Sequence, residues 1–182
     1  LVSQLKGKGG AKMSIKCELV ELVPQPSLSF RVSTSTQYLP EIFANGFGEI
    51  MEYLKEFKQP IAGRPYAKYY NLDLRNLDVE FGIPIQQRFS GRDNIQASET
   101  PRGKAVTCLH IGPYSDVEPS YRALVEWMKD RGYEAADLAY EVYLNDSENT
   151  PPEKLQTQIY EMIRTSEDIF RNVGSSKRIN RA

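Results

Sequence analysis

The stretch Leu138-Ala139-Tyr140-Glu141-Val142-Tyr143-Leu144 sets a carboxylate inside an aromatic, β-branched run. Such a run reads as a strand with a buried face. An ionised carboxylate is costly to bury unless a cation pairs with it. Glu141 is therefore either solvated or the polar anchor of an apolar pocket, and its surroundings in the chain bear on which.

Upstream, Ala105 to Ile111 reads as a strand, followed by Gly112-Pro113-Tyr114. Ser115 and Glu118 have the spacing of a capping box. Val117, Tyr121, Leu124, Val125 and Met128 give a helical apolar stripe, which Arg131-Gly132 ends. Downstream, Asn145 to Pro152 is a loop and Leu155 to Ile163 a last strand. The same order occurs earlier. Leu28 to Thr34 is a strand, expected to pair with Cys17 to Val23. Pro40 opens a helix whose stripe is Ile42, Phe43, Phe47, Ile50, Met51, Leu54 and Phe57, and Pro60 and Gly63 follow it. Arg64 to Tyr70 and Val79 to Ile85 read as two strands.

The chain is thus a duplicated β-α-β-β unit of the α+β class, with antiparallel sheets and helices on one face. The boundaries predicted are 14–164 for the domain, with halves at about 14–87 and 104–164 joined by the polar loop 88–104. Overlaying the halves sets Tyr53 on Trp127, and Tyr66–Tyr70 on Ala139–Tyr143 with Lys68 on Glu141. A groove is expected at the midline, on the face away from the helices.

Strand side chains alternate faces. Ala139, Glu141 and Tyr143 share one face, and Tyr140, Val142 and Leu144 the other. The second set is the more apolar, so Glu141 and Tyr143 are expected on the open face. Gln156, Gln158, Tyr160 and Met162 join them, with Tyr66, Lys68 and Tyr70 from the first half. One carboxylate, one ammonium and several tyrosines suit a flat organic cation, because aromatic faces attract cations. An exposed glutamate is the commoner occupant of such a face, and an ion pair with Lys68 would neutralise the anchor.

Composition narrows the function. The net charge is −1, with +3 in residues 1–12 and +2 in 165–182, leaving −6 on 13–164. A body of that sign does not favour nucleic acid and is compatible with cationic ligands. No apolar run is long enough for a membrane span. Cys17 and Cys108 lack metal-ligand spacing and read as small buried residues of a reducing, cytoplasmic setting. His110 is the single histidine. It shares a face with Cys108 but lacks a third group to make a catalytic array, and is expected to line the groove. No metal site, phosphate loop or dinucleotide fingerprint is present, so no cofactor is expected. Residues 1–13 read as disordered or an artificial extension ahead of Met13. Residues 165–182 read as a basic tail with a short helix over Ser166 to Val173.

Gly112-Pro113-Tyr114, Glu126-Trp127, Tyr140 to Asp146, Thr150-Pro151-Pro152-Glu153 and Ile159-Tyr160, in that order, resemble the GyrI-like small-molecule-binding domain. This bacterial effector-binding domain also occurs at the C-terminus of multidrug-responsive transcription activators. The resemblance spans Ser14 to Ile163. It implies a duplicated β-α-β-β fold and a groove glutamate, Glu141, ringed by aromatics that include Tyr160 and Trp127. Glu161-Met162-Ile163 departs from the proline many members carry there. No helix-turn-helix segment precedes the domain, so a complete activator is not expected. The resemblance implies a stand-alone binder of aromatic or cationic compounds, acting in sequestration or regulation. Two other activities occur in the family. One is hydrolysis of strained cyclopropane rings, with Glu141 as the catalytic carboxylate. The other is protein binding of a topoisomerase-inhibitor kind, which leaves room for a protein partner or a homodimer.

Overall fold

A computed structural model describes residues 15–164. The expected lead segment 1–13 and the tail 165–182 with its short helix lie outside the described residues.

The strands are β1 (Cys17–Leu22), β2 (Pro26–Thr34), β3 (Tyr66–Tyr69), β4 (Leu77–Pro84), β5 (Gln96–Glu99), β6 (Gly103–Ile111), β7 (Ala135–Tyr143) and β8 (Gln156–Ile163). The helices are α1 (Leu39–Glu56) and α2 (Glu118–Asp130). Pro40 lies in the first turn of α1, where its missing N–H costs nothing. The expected capping box does not form. Tyr114–Asp116 make a 3-10 turn, the Ser115 hydroxyl donates to Asp116 Oδ1 instead, and Val117 caps α2 without a side-chain bond.

All eight strands join one antiparallel sheet in the order β1-β6-β8-β7-β3-β4-β2-β5. β2-α1-β3-β4 and β6-α2-β7-β8 are the two repeated units, and β3 pairs with β7 where they meet. β1 does not pair with β2, as the sequence led us to expect; it pairs with β6 of the other unit. β5, inside the segment expected to be loop, pairs with β2. Each short lead strand so covers the edge of the opposite unit, an edge that would otherwise be left unpaired.

Both helices lie on the same side of the sheet. α1 covers β2 and β4, around a cluster that includes Phe30, Ile50, Leu54, Val79 and Phe81. α2 covers β1, β6 and β8, around Val106, Cys108, Leu124, Met128 and Ile159. Cys17 and Cys108 face each other in the β1–β6 register beneath α2. Burial raises both thiols, Cys108 to about 12, which keeps them protonated and unreactive. Met51, expected in the core, is 45% exposed.

Gly46 lets α1 seat on the sheet. A Cβ there would meet the Phe81 ring at 2.5 and 2.6 Å. Alanine favours a helix by about 1 kcal/mol over glycine, but overpacking costs about 1–3 kcal/mol. Gly46→Ala is expected to lower stability by about 1 kcal/mol in urea unfolding; a gain would show that Phe81 yields freely.

Candidate functional site

The two helices leave a gap over the midline strands β3 and β7, and Glu141 lies beneath it. Its Oε1 accepts from the Tyr121 hydroxyl of α2 at 2.7 Å. Its Oε2 accepts from Tyr143 at 3.1 Å and from Tyr69 of β3 at 3.4 Å, and those two hydroxyls lie 3.3 Å apart. Phe43 and Phe47 of α1 approach the Tyr143 ring at 6.2 and 6.5 Å between centroids, and Tyr114 approaches it edge-on at 5.6 Å. A carboxylate is thus enclosed by phenols and phenyl rings contributed by both units.

Glu141 is 7% exposed and, among the described residues, has no ion pair. Burial raises its pKa; the bonds from Tyr121, Tyr143 and Tyr69, and the nearby His110, offset this only in part. The same burial and the adjacent carboxylate hold Tyr69, Tyr121 and Tyr143 well above the usual phenol range, so all three remain donors.

This places Glu141 and Tyr143 on the helix face, opposite to the expectation from strand composition. The reason is register. Antiparallel neighbours across the midline are Ala67 and Glu141, whereas Lys68 faces Tyr140. The sequence overlay of Lys68 on Glu141 is one residue out, and a slip of one residue reverses every side chain. The parity of β8 agrees with the expectation: Tyr160 and Met162 face away from the helices, and Ile159, opposite both Glu141 and Cys108, is on the helix side.

Lys68, Tyr66, Tyr70, Tyr160 and Met162 therefore do not meet Glu141; they lie on the opposite face. Tyr66, Tyr140 and Tyr160 form a row there, with centroid spacings of 5.7 and 5.2 Å. Lys68 pairs with Glu80 at 2.7 Å, and Tyr70 donates to the same carboxylate at 2.7 Å. Trp127 stacks on Tyr133 at 6.1 Å, with the Arg131 guanidinium 4.0 Å over its ring, so it packs at the end of α2 rather than in the ring around Glu141. His110 is on the helix side, its Nδ1 3.2 Å from Ser120 Oγ and its Nε2 3.0 Å from Pro113 O. Both ring nitrogens are thus committed to holding the start of α2.

Tyr69 and Tyr121 are the residues that sequence reading missed. Tyr121 was assigned to the apolar stripe of its helix, and its hydroxyl gave no separate signal. Tyr69 shares a face with Ala67, so the right register would have found it. Glu161 was missed too. It lies beside Ala139 on the helix face, half-buried, and burial with Asp137 nearby raises its pKa to about 7.

A surface depression of about 390 Å³ is lined by Pro26, Ser27, Arg88, Phe89, Ala97, Ser98 and Glu99 and excludes Glu141. That depression holds no charge that lacks a local partner: Arg88 and Glu99 pair with each other. Glu141 is 7% exposed, so a ligand reaching it has to displace side chains that enclose it.

Residues 16–164 match the family model described as GyrI-like small molecule binding domain, so the chain belongs to that family. No curated protein sequence matches it. Among solved structures, EcmrR in its DNA complex in EcmrR-RPo is 21% identical, with a TM-score of 0.74. That alignment covers 84% of this chain and 59% of EcmrR, so the chain spans less than two thirds of that relative. SAV2435 bound to tetraphenylphosphonium is 10% identical, with a TM-score of 0.61 over 84% of this chain and 96% of that one. A hydrolase encoded by lin2189 from Listeria innocua is 13% identical, with a TM-score of 0.59 over 85% and 94%. At these identities the likeness is one of fold.

Proposed function

We propose that this member of the GyrI-like family binds aromatic or amphipathic organic cations in the gap between α1 and α2, with Glu141 as the charge partner. The observation that carries this reading is a buried carboxylate with three phenolic donors and no cation among the described residues. Hydrogen bonds lessen the cost of burying that charge but leave it uncompensated. An organic cation would neutralise it while the rings of Phe43, Phe47, Tyr69, Tyr114, Tyr121 and Tyr143 take its apolar surface. SAV2435, bound to tetraphenylphosphonium, offers this kind of ligand as a probe. Sequestration or ligand-dependent regulation is the role that such binding would serve.

Hydrolysis is the less favoured reading. A general base has to reach water or substrate, and Glu141 is 7% exposed with three phenols packed against its carboxylate.

The test is titration of tetraphenylphosphonium into wild type and Glu141→Gln. The substitution keeps shape and removes charge, and affinity is expected to fall by about 10–100-fold. Because the carboxyl is raised, wild-type affinity should also increase with pH as Glu141 deprotonates, and the variant's should not. Equal affinity in the two proteins would remove Glu141 as the anchor. Turnover of a cyclopropane-bearing substrate, lost in Glu141→Gln, would favour the hydrolase instead.

A further inference from the structure

Thr157 of β8 lies on the helix face next to Tyr143, at the border of the gap. It is fully buried, and its Oγ1 has no hydrogen-bond partner among the described residues. In the sheet register it stands between Tyr143 of β7 and His110 of β6, two residues before Ile159, the neighbour of Glu141. Thr157 and Glu141 therefore share the helix face. They lie on a diagonal of adjacent strands, where Cα atoms are about 7–8 Å apart.

The polar atoms flanking Thr157 are committed elsewhere. The Tyr143 hydroxyl serves Glu141 and Tyr69, and both His110 nitrogens are held by Ser120 and Pro113. Thr107, on the opposite face, is the contrast. It is equally enclosed, yet it donates to Ile159 O at 2.7 Å and accepts from Gln158 Nε2 at 2.6 Å. A buried hydroxyl left without a partner costs stability, and valine has nearly the same shape without that cost.

We infer that Thr157 is a second polar anchor of the groove, one that selects cations carrying a hydrogen-bonding substituent. The inference rests on the ligand-binding reading above and adds a class to it. The ligand carries a hydroxyl, ether or amide within about 8 Å of its cationic centre. Glu141 takes the charge and Thr157 takes the substituent. The hydroxyl both donates and accepts, so it admits either polarity.

The experiment compares tetraphenylphosphonium with its three monohydroxyphenyl isomers on wild type, Thr157→Val and Thr157→Ser. Wild type is expected to bind at least one isomer about tenfold more tightly than the parent cation. Thr157→Val should abolish that preference and raise the melting temperature of the free protein. Thr157→Ser should keep the preference. No preference in wild type, or one that survives in Thr157→Val, overturns the inference. So does a lower melting temperature in Thr157→Val, which would mean that the hydroxyl already has a partner. If neither parent nor isomers bind wild type, the ligand-binding reading itself has failed, and this inference falls with it.

Discussion

Replacing Lys68 by methionine is expected to destabilise the fold by about 3–5 kcal/mol, the cost of leaving a buried charge without its partner. Lys68 Nζ lies 2.7 Å from Glu80 Oε1, and the two side chains are 7% and 8% exposed. Lys68 also donates to Ser98 Oγ and to Glu99 O at 3.3 and 3.0 Å. Glu80 accepts from Ser29, Ser98 and Tyr70 at 2.9, 2.5 and 2.7 Å. In a flat sheet β3 and β5 would stand about 14 Å apart, three strand spacings, so the lysine helps hold a curl that brings β5 towards this face.

Burial alone would raise Glu80, but the bonds from Lys68 and Ser98 outweigh it and leave its pKa below the ordinary 4.5. Its contribution to stability is therefore present above that value and lost as pH falls through the depressed one. Without Lys68 that depression goes, so the deficit of Lys68→Met should shrink in acid. Urea unfolding at neutral and acid pH measures both effects. Lys68→Met/Glu80→Leu should recover most of the loss, since an apolar pair of similar volume leaves no charge stranded. A single-variant cost under about 1 kcal/mol would show that water reaches Glu80. Cation binding should not change in either variant, because Lys68 faces away from Glu141.

The second large effect is a loss of stability on going from mildly acid to neutral pH. Glu161 is raised from 4.5 to about 7, chiefly by burial. Between those values the folded chain holds a proton that the unfolded chain releases, so stability falls as pH rises through the window. A shift of that size corresponds to about 3 kcal/mol. Glu141 is raised as well and adds in the same direction. Asp78, Glu80 and Asp146 are lowered, so their pH dependence lies below the window. Unfolding free energies of wild type and Glu161→Gln at about pH 4.5 and about pH 7.5 isolate the effect. The wild-type decline should be steeper by about 3 kcal/mol. Parallel profiles would mean that Glu161 is solvated or paired when the protein is folded.

The sequence by itself determined the two repeated units, but not the partner of β1 or the presence of β5. Helical stripes beginning near Pro40 and Val117 gave two amphipathic helices, and the turn-bounded runs between them gave the strands of two β-α-β-β units. It also singled out Glu141 and Tyr143, because a carboxylate in an aromatic strand is anomalous before any neighbour is known. These are local properties, set by periods of 3.6 and 2 residues and by turn chemistry, and they survive without knowledge of the partner strand.

Only the tertiary structure decided which way that anomaly points. Face assignment depends on register between strands distant in sequence, and the composition of β7 misleads because both of its faces are covered: Tyr140 and Glu141 point opposite ways and are both buried. The pairing of Ala67 with Glu141 turned the carboxylate towards the helices and sent Lys68 to Glu80. It brought in Tyr69 and, from α2, Tyr121, whose hydroxyls come from segments 72 and 20 residues away in the chain. The site is a convergence of long-range partners, and a pattern of period 2 holds no information about which strand lies beside it.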